Sequence, residues 1–360
     1  MIPRRDGIGA YATAAARIAP SDEAAARSAR AHHDRLTKPS GSLGRLETLG
    51  VQLAAISGVD PPPSPSPAAV AVFAADHGVV AAGVTRWPQQ VTGQMVANFL
   101  AGGAAINVLA RQVAASVTVI DVGVVTEPDV PGPGLLRRRV RNGTANLADG
   151  PAMSQDEVQS ARDIGADVAA QLVADGAAAL VTGDMGIGNT TPAAAVIAAL
   201  TGHSAADVTG RGTGIDDETL RRKTSIIEKA LTRLRSDAQP LQVLAEVGGL
   251  EIAALAGFIV GGAAQRVPVV VDGVVSCAAL LAAYVDCPAV LPYVIAGHRS
   301  TEPGAAVVLD QLSLTPVLDL DLRLGEGTGG CLALPVVEAA ARILREMASF
   351  DAAGVSTAPG

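Results

Sequence analysis

The sequence predicts an α/β fold, a mostly parallel sheet covered by helices, and three observations predict it. Apolar runs of strand length alternate with helical stretches from residue 69 to residue 322. The runs are continuously apolar, which is the pattern of strands buried on both faces. Hydrophobic residues make up 49% of the chain and aromatics only 2%, so the core must be built from Ala, Val, Leu and Ile. Ala-rich segments favour helices and Val-rich runs favour buried strands. A length of 360 residues suits one large α/β domain with a smaller accessory unit.

Taken in order, residues 1–20 hold two early arginines and no sustained apolar core, so no signal peptide is expected. Residues 21–57 read as two helices. Their join is 37–42, where Pro39 and Gly41 interrupt and Ser42 can cap. The stretch 60–67, DPPPSPSP, reads as a linker. Strands are predicted at 69–75, 117–125, 178–182, 268–275, 290–296 and 316–322. PGPG at 131–134 reads as a loop. The last helix, 332–347, is expected to pack with the N-terminal helices as a small helical domain built from both chain ends. The expected division is therefore 1–60 in the small domain, 61–329 in the catalytic domain, and 330–360 returning to the small domain.

Composition excludes several classes. The net charge of −8, without a long basic run, argues against a nucleic-acid partner. Cys277, Cys287 and Cys331 show no C-x-x-C spacing, which fits a reducing cytosol and no disulfide scaffold or zinc site. The apolar run 252–264 is too short to span a bilayer and contains Gly257, Gly261 and Gly262. No membrane partner is expected, and a cytoplasmic location is.

In open parallel sheets, ligands bind beyond the carboxyl ends of the strands. The unusual residues cluster there: Asp76–His77–Gly78, the stretch 183–191 (GDMGIGNTT), 297–302 (GHRSTE) and 324–330 (LGEGTGG). In the last of these, Glu326 stands between Gly325 and Gly327 at a predicted strand-to-helix turn. Such a turn admits close backbone approach and aims helix N–H groups at a ligand. A carboxylate there repels phosphate and suits proton abstraction from a substrate. The same residues spell G-x-G-x-x-G, the dinucleotide fingerprint. That reading needs a further parallel strand after the helix, and 348–360 reads as a small-residue tail. A dehydrogenase and a non-catalytic nucleotide sensor are the competing readings.

The stretch 183–191 needs Gly186 and Gly188 for close approach. Asn189, Thr190 or Thr191 can then cap the following helix, whose N-terminus suits an anion. Asp184 supplies a second carboxylate, able to tune Glu326 or to bind a substrate N–H or hydroxyl. Lys223, a turn into the helix after 210–218, can reach a phosphate, although a lone Lys is ordinarily solvated. Asp216–Glu218 read as simple capping residues. His77 is read as orienting or lining a pocket, His32 and His33 as surface residues, and Cys331 as a small packing residue. With no further His or Cys at ligand spacing, no metal is expected.

These residues also carry a resemblance. The chain resembles the nicotinate-nucleotide–dimethylbenzimidazole phosphoribosyltransferases of cobalamin nucleotide-loop assembly. The blocks are LTKPSGSLGRLE (36–47), AADHGVVAAGV (74–84), PQQVTGQMVANFLAGGAAINVLAR (88–111), GDMGIGNTTPAAA (183–195), GRGTGIDDE (210–218), EVGGLEIAALAG (246–257), PVVVDG (268–273), GHRSTEPG (297–304) and LRLGEGTGG (322–330). The resemblance implies a Rossmann-like α/β domain with a small helical domain, working as a homodimer without a cofactor. It implies transfer of ribose 5-phosphate from nicotinate mononucleotide to 5,6-dimethylbenzimidazole, giving α-ribazole 5′-phosphate and nicotinate. Glu326 becomes the general base. Met185 and Leu324, with His77, Gln89 and Gln90, become the pocket for the base. Lys223, Ser300 and the Gly186 turn become the holders of the phosphate. Two positions depart from the family's pattern: Asp184 stands where Glu is usual, and Ala305 where His is frequent.

Overall fold

A computed structural model describes residues 9–126 and 134–356. The chain begins with three helices, α1 (Ala10–Arg17), α2 (Glu23–Arg35) and α3 (Arg45–Ser57). Asp22 caps α2 by accepting the Ala25 N–H at 2.9 Å. The proline-rich stretch then leads into β1 (Ala68–Ala75), followed by α4 (Val91–Leu100), α5 (Ala105–Gln112), β2 (Ser116–Gly123) and β3 (Leu135–Arg137). Next come α6 (Gln155–Ala174), β4 (Ala179–Met185), α7 (Thr190–Thr201), α8 (Ala205–Val208), α9 (Asp217–Leu231), α10 (Pro240–Val247) and α11 (Leu250–Ala264). The chain closes with β5 (Val269–Val271), α12 (Val274–Asp286), β6 (Val294–Ala296), α13 (Pro303–Gln311), α14 (Thr328–Glu346) and α15 (Phe350–Ala353).

All strand pairs are parallel, in the order β3-β2-β1-β4-β5-β6. This is the doubly wound order, and its direction reverses between β1 and β4. Along β1, Ala69, Ala71, Phe73 and Ala75 enter one core layer while Ala68, Val70, Val72 and Ala74 enter the other. Both layers are dry, so neither set can be polar, and the run reads as uninterrupted apolar sequence. The first layer holds α6, α7, α10, α11 and α12; the second holds α3, α4, α5 and α14.

Three sequence expectations change. Residues 316–322 form no strand. Val317 and Leu318 donate to the carbonyls of Ala296 and Gly297 at the end of β6, and the carbonyls of Leu318 and Leu322 accept the N–H groups of Arg299 and Thr301, without a continuous ladder. Pro316 lacks a donor, and Asp319 and Asp321 do not suit a buried strand. The sixth strand is 135–137, three residues too short to carry a sequence signal. The expected strands at 268–275 and 290–296 contract to β5 and β6, because Asp272 leaves the sheet and 288–293 coils into a 3₁₀ turn. His33 is buried rather than on the surface, its ring against Gly50 of α3. Of the PGPG stretch, only Gly134 lies within the described residues.

The C-terminal helix α14 packs on α5 and the sheet at its start and on α3 and α2 further along. Ala29, Ala54 and Leu344 form the small apolar centre of that helical cluster. Residues 91–112 together are apolar and long enough to cross a bilayer. The chain divides there at Gly102 and Gly103 into α4 and α5, which pack on the sheet.

Helices α6 and α11 cross at backbone contact. A Cβ on Gly165 would lie 1.8 Å from the Ala254 carbonyl oxygen, and one on Gly257 would lie 1.9 Å from that of Arg162. Neither backbone can yield without parting the helices. Gly165→Ala is therefore expected to destabilise the fold by about 1–3 kcal/mol through overpacking. Urea unfolding followed by circular dichroism checks this; an unchanged midpoint would show that the crossing tolerates a side chain.

Candidate active site

The turns that follow β1, β4, β5 and β6 converge beyond the sheet, around the β1/β4 switch point. Residues 324–328 cross over the end of β4. The Glu326 N–H donates to the Asp184 carbonyl at 3.2 Å. A Cβ on Gly183 would meet the Glu326 carbonyl oxygen at 2.7 Å, so glycine is required for this approach.

Glu326 has φ 63°, between Gly325 at 85° and Gly327 at 89°. Three successive left-handed residues make a sharp turn, and the central non-glycine residue carries strain of about 1–3 kcal/mol. Glu326 is 5% exposed, and its Oε2 accepts the Ile106 N–H at 3.4 Å in the first turn of α5. Burial raises its pKa, the Ile106 hydrogen bond opposes that, and the negative charge of Asp272 adds to it.

Asp272 was not singled out by the sequence. It is 1% exposed, and it closes the N-terminus of α14. Oδ2 accepts the Gly327 N–H at 3.1 Å, and Oδ1 accepts those of Gly329 and Gly330 at 2.8 and 3.0 Å. Hydrogen bonds to a charged group contribute about 1.5–3 kcal/mol each, enough to hold a strained turn. The His298 Nε2 lies 3.3 Å from Oδ1, and its ring covers Gly329 so closely that any Cβ there would overlap it. Burial alone would lower the His298 pKa, but the bond to Asp272 and its charge outweigh that and raise it.

Asp184 is buried with Glu326. Its Oδ2 accepts the Asn189 Nδ2–H at 2.8 Å, while Oδ1 has no partner. Burial first, then the charges of Asp272 and Glu251, raise its pKa well above the usual carboxylate range. Asn189 therefore serves Asp184 and does not cap α7; it has helical backbone angles (−60°, −23°) and makes no side-chain cap bond. Gly186 has no room for a Cβ, because the Ala75 carbonyl oxygen would lie at 2.5 Å. Gly188 has φ 86°. Met185 is buried in the turn, Leu324 is exposed at the rim, and Gln89 and Gln90 stand at the start of α4. The Ile187 N–H donates to Thr92 Oγ1 at 3.1 Å, which ties that start to the 185–189 turn.

A second cluster lies beside the first. Lys223 is 1% exposed, not solvated, and its Nζ donates to Thr190 Oγ1 at 2.8 Å and to the Gly210 carbonyl at 3.0 Å. Burial lowers its pKa to about 8, against the opposing charge of Glu302. Glu302 accepts the Gly212 N–H at 2.7 Å, and Ser300 Oγ accepts the Glu302 N–H at 3.3 Å. Arg323, next to the Glu326 turn, donates to the Gly212 carbonyl at 2.9 Å and joins the two clusters. A cavity of about 460 Å³ opens here, lined by Gly210, Arg211, Thr301, Glu302 and Arg323. Asp216 caps α9 through the Thr219 N–H, as expected.

His77 lies beneath these turns. Its Nε2 is 2.9 Å from Glu251 Oε1, and both side chains are fully buried. Burial lowers its pKa, but the charge and hydrogen bond of Glu251 prevail and raise it. Glu251 had a signal in the sequence that was missed: it is the lone charge at the head of an apolar run. Asp272 had one too, an Asp-Gly directly after a Val run. Among the described residues, no group of three or more His, Cys, Asp or Glu could hold a metal ion.

The Gly-rich loop follows β6, whereas the dinucleotide fingerprint belongs to the turn after β1. Here that turn is Asp76–His77. A family model described as phosphoribosyltransferase matches residues 18–355. The nicotinate-nucleotide–dimethylbenzimidazole phosphoribosyltransferase of Salinispora tropica is 56% identical over 95% of this chain and 98% of its own. That of Chloroflexus aggregans is 54% identical over 94% and 96%. The crystal structure of CobT from Thermus thermophilus superposes with a TM-score of 0.91 at 50% identity, covering 93% of this chain and all of that one. The chain belongs to the nicotinate-nucleotide–dimethylbenzimidazole phosphoribosyltransferase family.

Proposed function

We propose that this enzyme moves ribose 5-phosphate from nicotinate mononucleotide to 5,6-dimethylbenzimidazole, with Glu326 as general base. The observation that carries the reading is the Glu326 carboxylate, buried at the switch point with a raised pKa. The leaving pyridinium already bears positive charge, so its departure requires no acid. The acceptor's free ring nitrogen attacks the anomeric carbon, and the opposite N–H becomes acidic as charge develops. A positioned carboxylate takes that proton, worth roughly 10²–10⁴ in rate.

In this reading Met185, Leu324, Gln89 and Gln90 border the acceptor, and His77 supports them from below through its contact with the Gly186 turn. Lys223, Thr190, Ser300, Gly186, Gly188 and Asn189 form the donor side with the Gly325–Gly327 turn. The proposed division is a small helical unit of 1–60 and 330–360 around a catalytic unit of 61–329; the packing of α14 on α2 and α3 supports it, while α1 packs on α6 and α11. A cytoplasmic homodimer belongs to the same proposal. A product assay with nicotinate mononucleotide and a panel of bases tests the function; absence of any nicotinate release would overturn it.

Glu326→Gln is expected to fold normally and to lose on the order of 10²–10⁴ in turnover. Wild-type turnover at saturating substrates would remove Glu326 as base.

Lys223 must be protonated to attract a phosphate. Its charge is lost as pH rises through about 8, so kcat/KM for the donor is expected to fall above that pH. Lys223→Met should bind the donor more weakly, by about 1.5–3 kcal/mol, and lack this alkaline limb. A limb that persists in the variant would reassign it.

Asp184→Asn is expected to cost less turnover than Glu326→Gln. The charge of Glu326 is among those that raise the Asp184 pKa, so the two carboxyls are coupled and the acid limb of the pH–rate profile should move when Asp184 is replaced. An unchanged rate and profile would leave Asp184 with a structural role alone.

A further inference from the structure

Glu326 sits in a left-handed turn, at φ 63° between two glycines that are also left-handed. The turn persists because its following N–H groups have a fixed acceptor. Asp272 accepts from Gly327, Gly329 and Gly330, and all of these groups are buried. His298 backs the same oxygen at 3.3 Å and closes over Gly329. Asp272 touches neither the cavity beside Lys223 nor the Glu326 carboxylate by hydrogen bond.

We propose that Asp272, backed by His298, is a positioning residue for the transfer: it fastens the first turn of α14 and so fixes where the Glu326 carboxylate stands. This rests on Glu326 being the base. The pair also sets the local charge. The titratable groups around Glu326 are Asp184 at the end of β4, Asp272 after β5, His298 after β6, and the Cys331 thiol in the first turn of α14. Burial pushes that thiol up to about 11, so it is neutral at working pH. From α5 the carboxylate is faced by the Ile106 N–H. The negative charge of Asp272 makes Glu326 more basic, and His298, whose own pKa Asp272 raises, offsets that charge where it is protonated.

The two members of the pair are therefore expected to act in opposite directions. Asp272→Asn presents an amide N–H to a backbone N–H and loosens the turn. Its kcat should fall on the order of 10²-fold, as for a misplaced catalytic group. The acid limb of its kcat profile should move to lower pH. His298→Gln leaves Asp272 uncompensated, so its acid limb should move to higher pH. Nicotinate release by the full-length enzyme, measured across pH for both variants beside Glu326→Gln, reads this out.

Opposite shifts of the limb, with a loss in kcat, support the proposal. If both variants lose only thermal stability and keep the wild-type limb, Asp272 is a helix cap and nothing more. If Asp272→Asn does not fold, an unmoved limb in His298→Gln overturns the proposal by itself. If Glu326→Gln keeps its turnover, the base assignment falls and this proposal with it. If Glu326→Gln is inactive while both limbs stay put, the base assignment stands and only the role of Asp272 is lost.

Discussion

The sheet has no wet face at its centre, and that constraint organises the rest. Strand β1 is buried on both sides, with neighbours β2 and β4 paired to it in parallel. Parallel pairing forces every connection to cross back over a face, so helices cover both. It also brings every strand's carboxyl end to one edge of the sheet. Chemistry can gather only there, and the reversal of order between β1 and β4 opens the crevice that receives it.

A core with few aromatic side chains must fill space another way. Alanine and glycine let the layers come close, as at the α6–α11 crossing, where helix backbones touch. The same closeness serves the site. Gly183, Gly186 and Gly327 each lie against a neighbouring backbone, and this allows the 324–328 turn to lie on the end of β4. Packing and catalysis thus draw on one property, the absence of side chains at the places where chain segments cross.

The crevice gathers Asp184, Glu251, Asp272 and Glu326 in surroundings that exclude water. Burial and the neighbouring negative charges raise the pKa of Asp184 and Glu326, and a basic carboxylate is what a proton acceptor requires. Unpartnered, four such charges would be very costly. Histidines and backbone N–H groups hold the cost down: His77 meets Glu251, His298 and the α14 N-terminus meet Asp272, and Ile106 meets Glu326. Asp184 has Asn189 on one oxygen, and its Oδ1 is left without a partner.

The sequence by itself determined the class of the fold, five of the six strands to within a few residues, and the helices at 21–57 and 332–347. Those follow from local periodicity and from Gly, Pro and Asp at the breaks. It also singled out Glu326, because one carboxylate among glycines is a local anomaly. Tertiary structure decided what local pattern cannot hold. Residues 316–322 look like a strand but make a single bridge, from Leu318 to His298 just past β6, while 135–137 becomes a strand because β2 offers an edge. Lys223 and His33 read as surface residues until packing buries them. Asp272 falls inside a predicted strand until α14, some 55 positions away, presents its N–H groups. Burial and pairing are properties of neighbours brought from afar, and no window of sequence contains them.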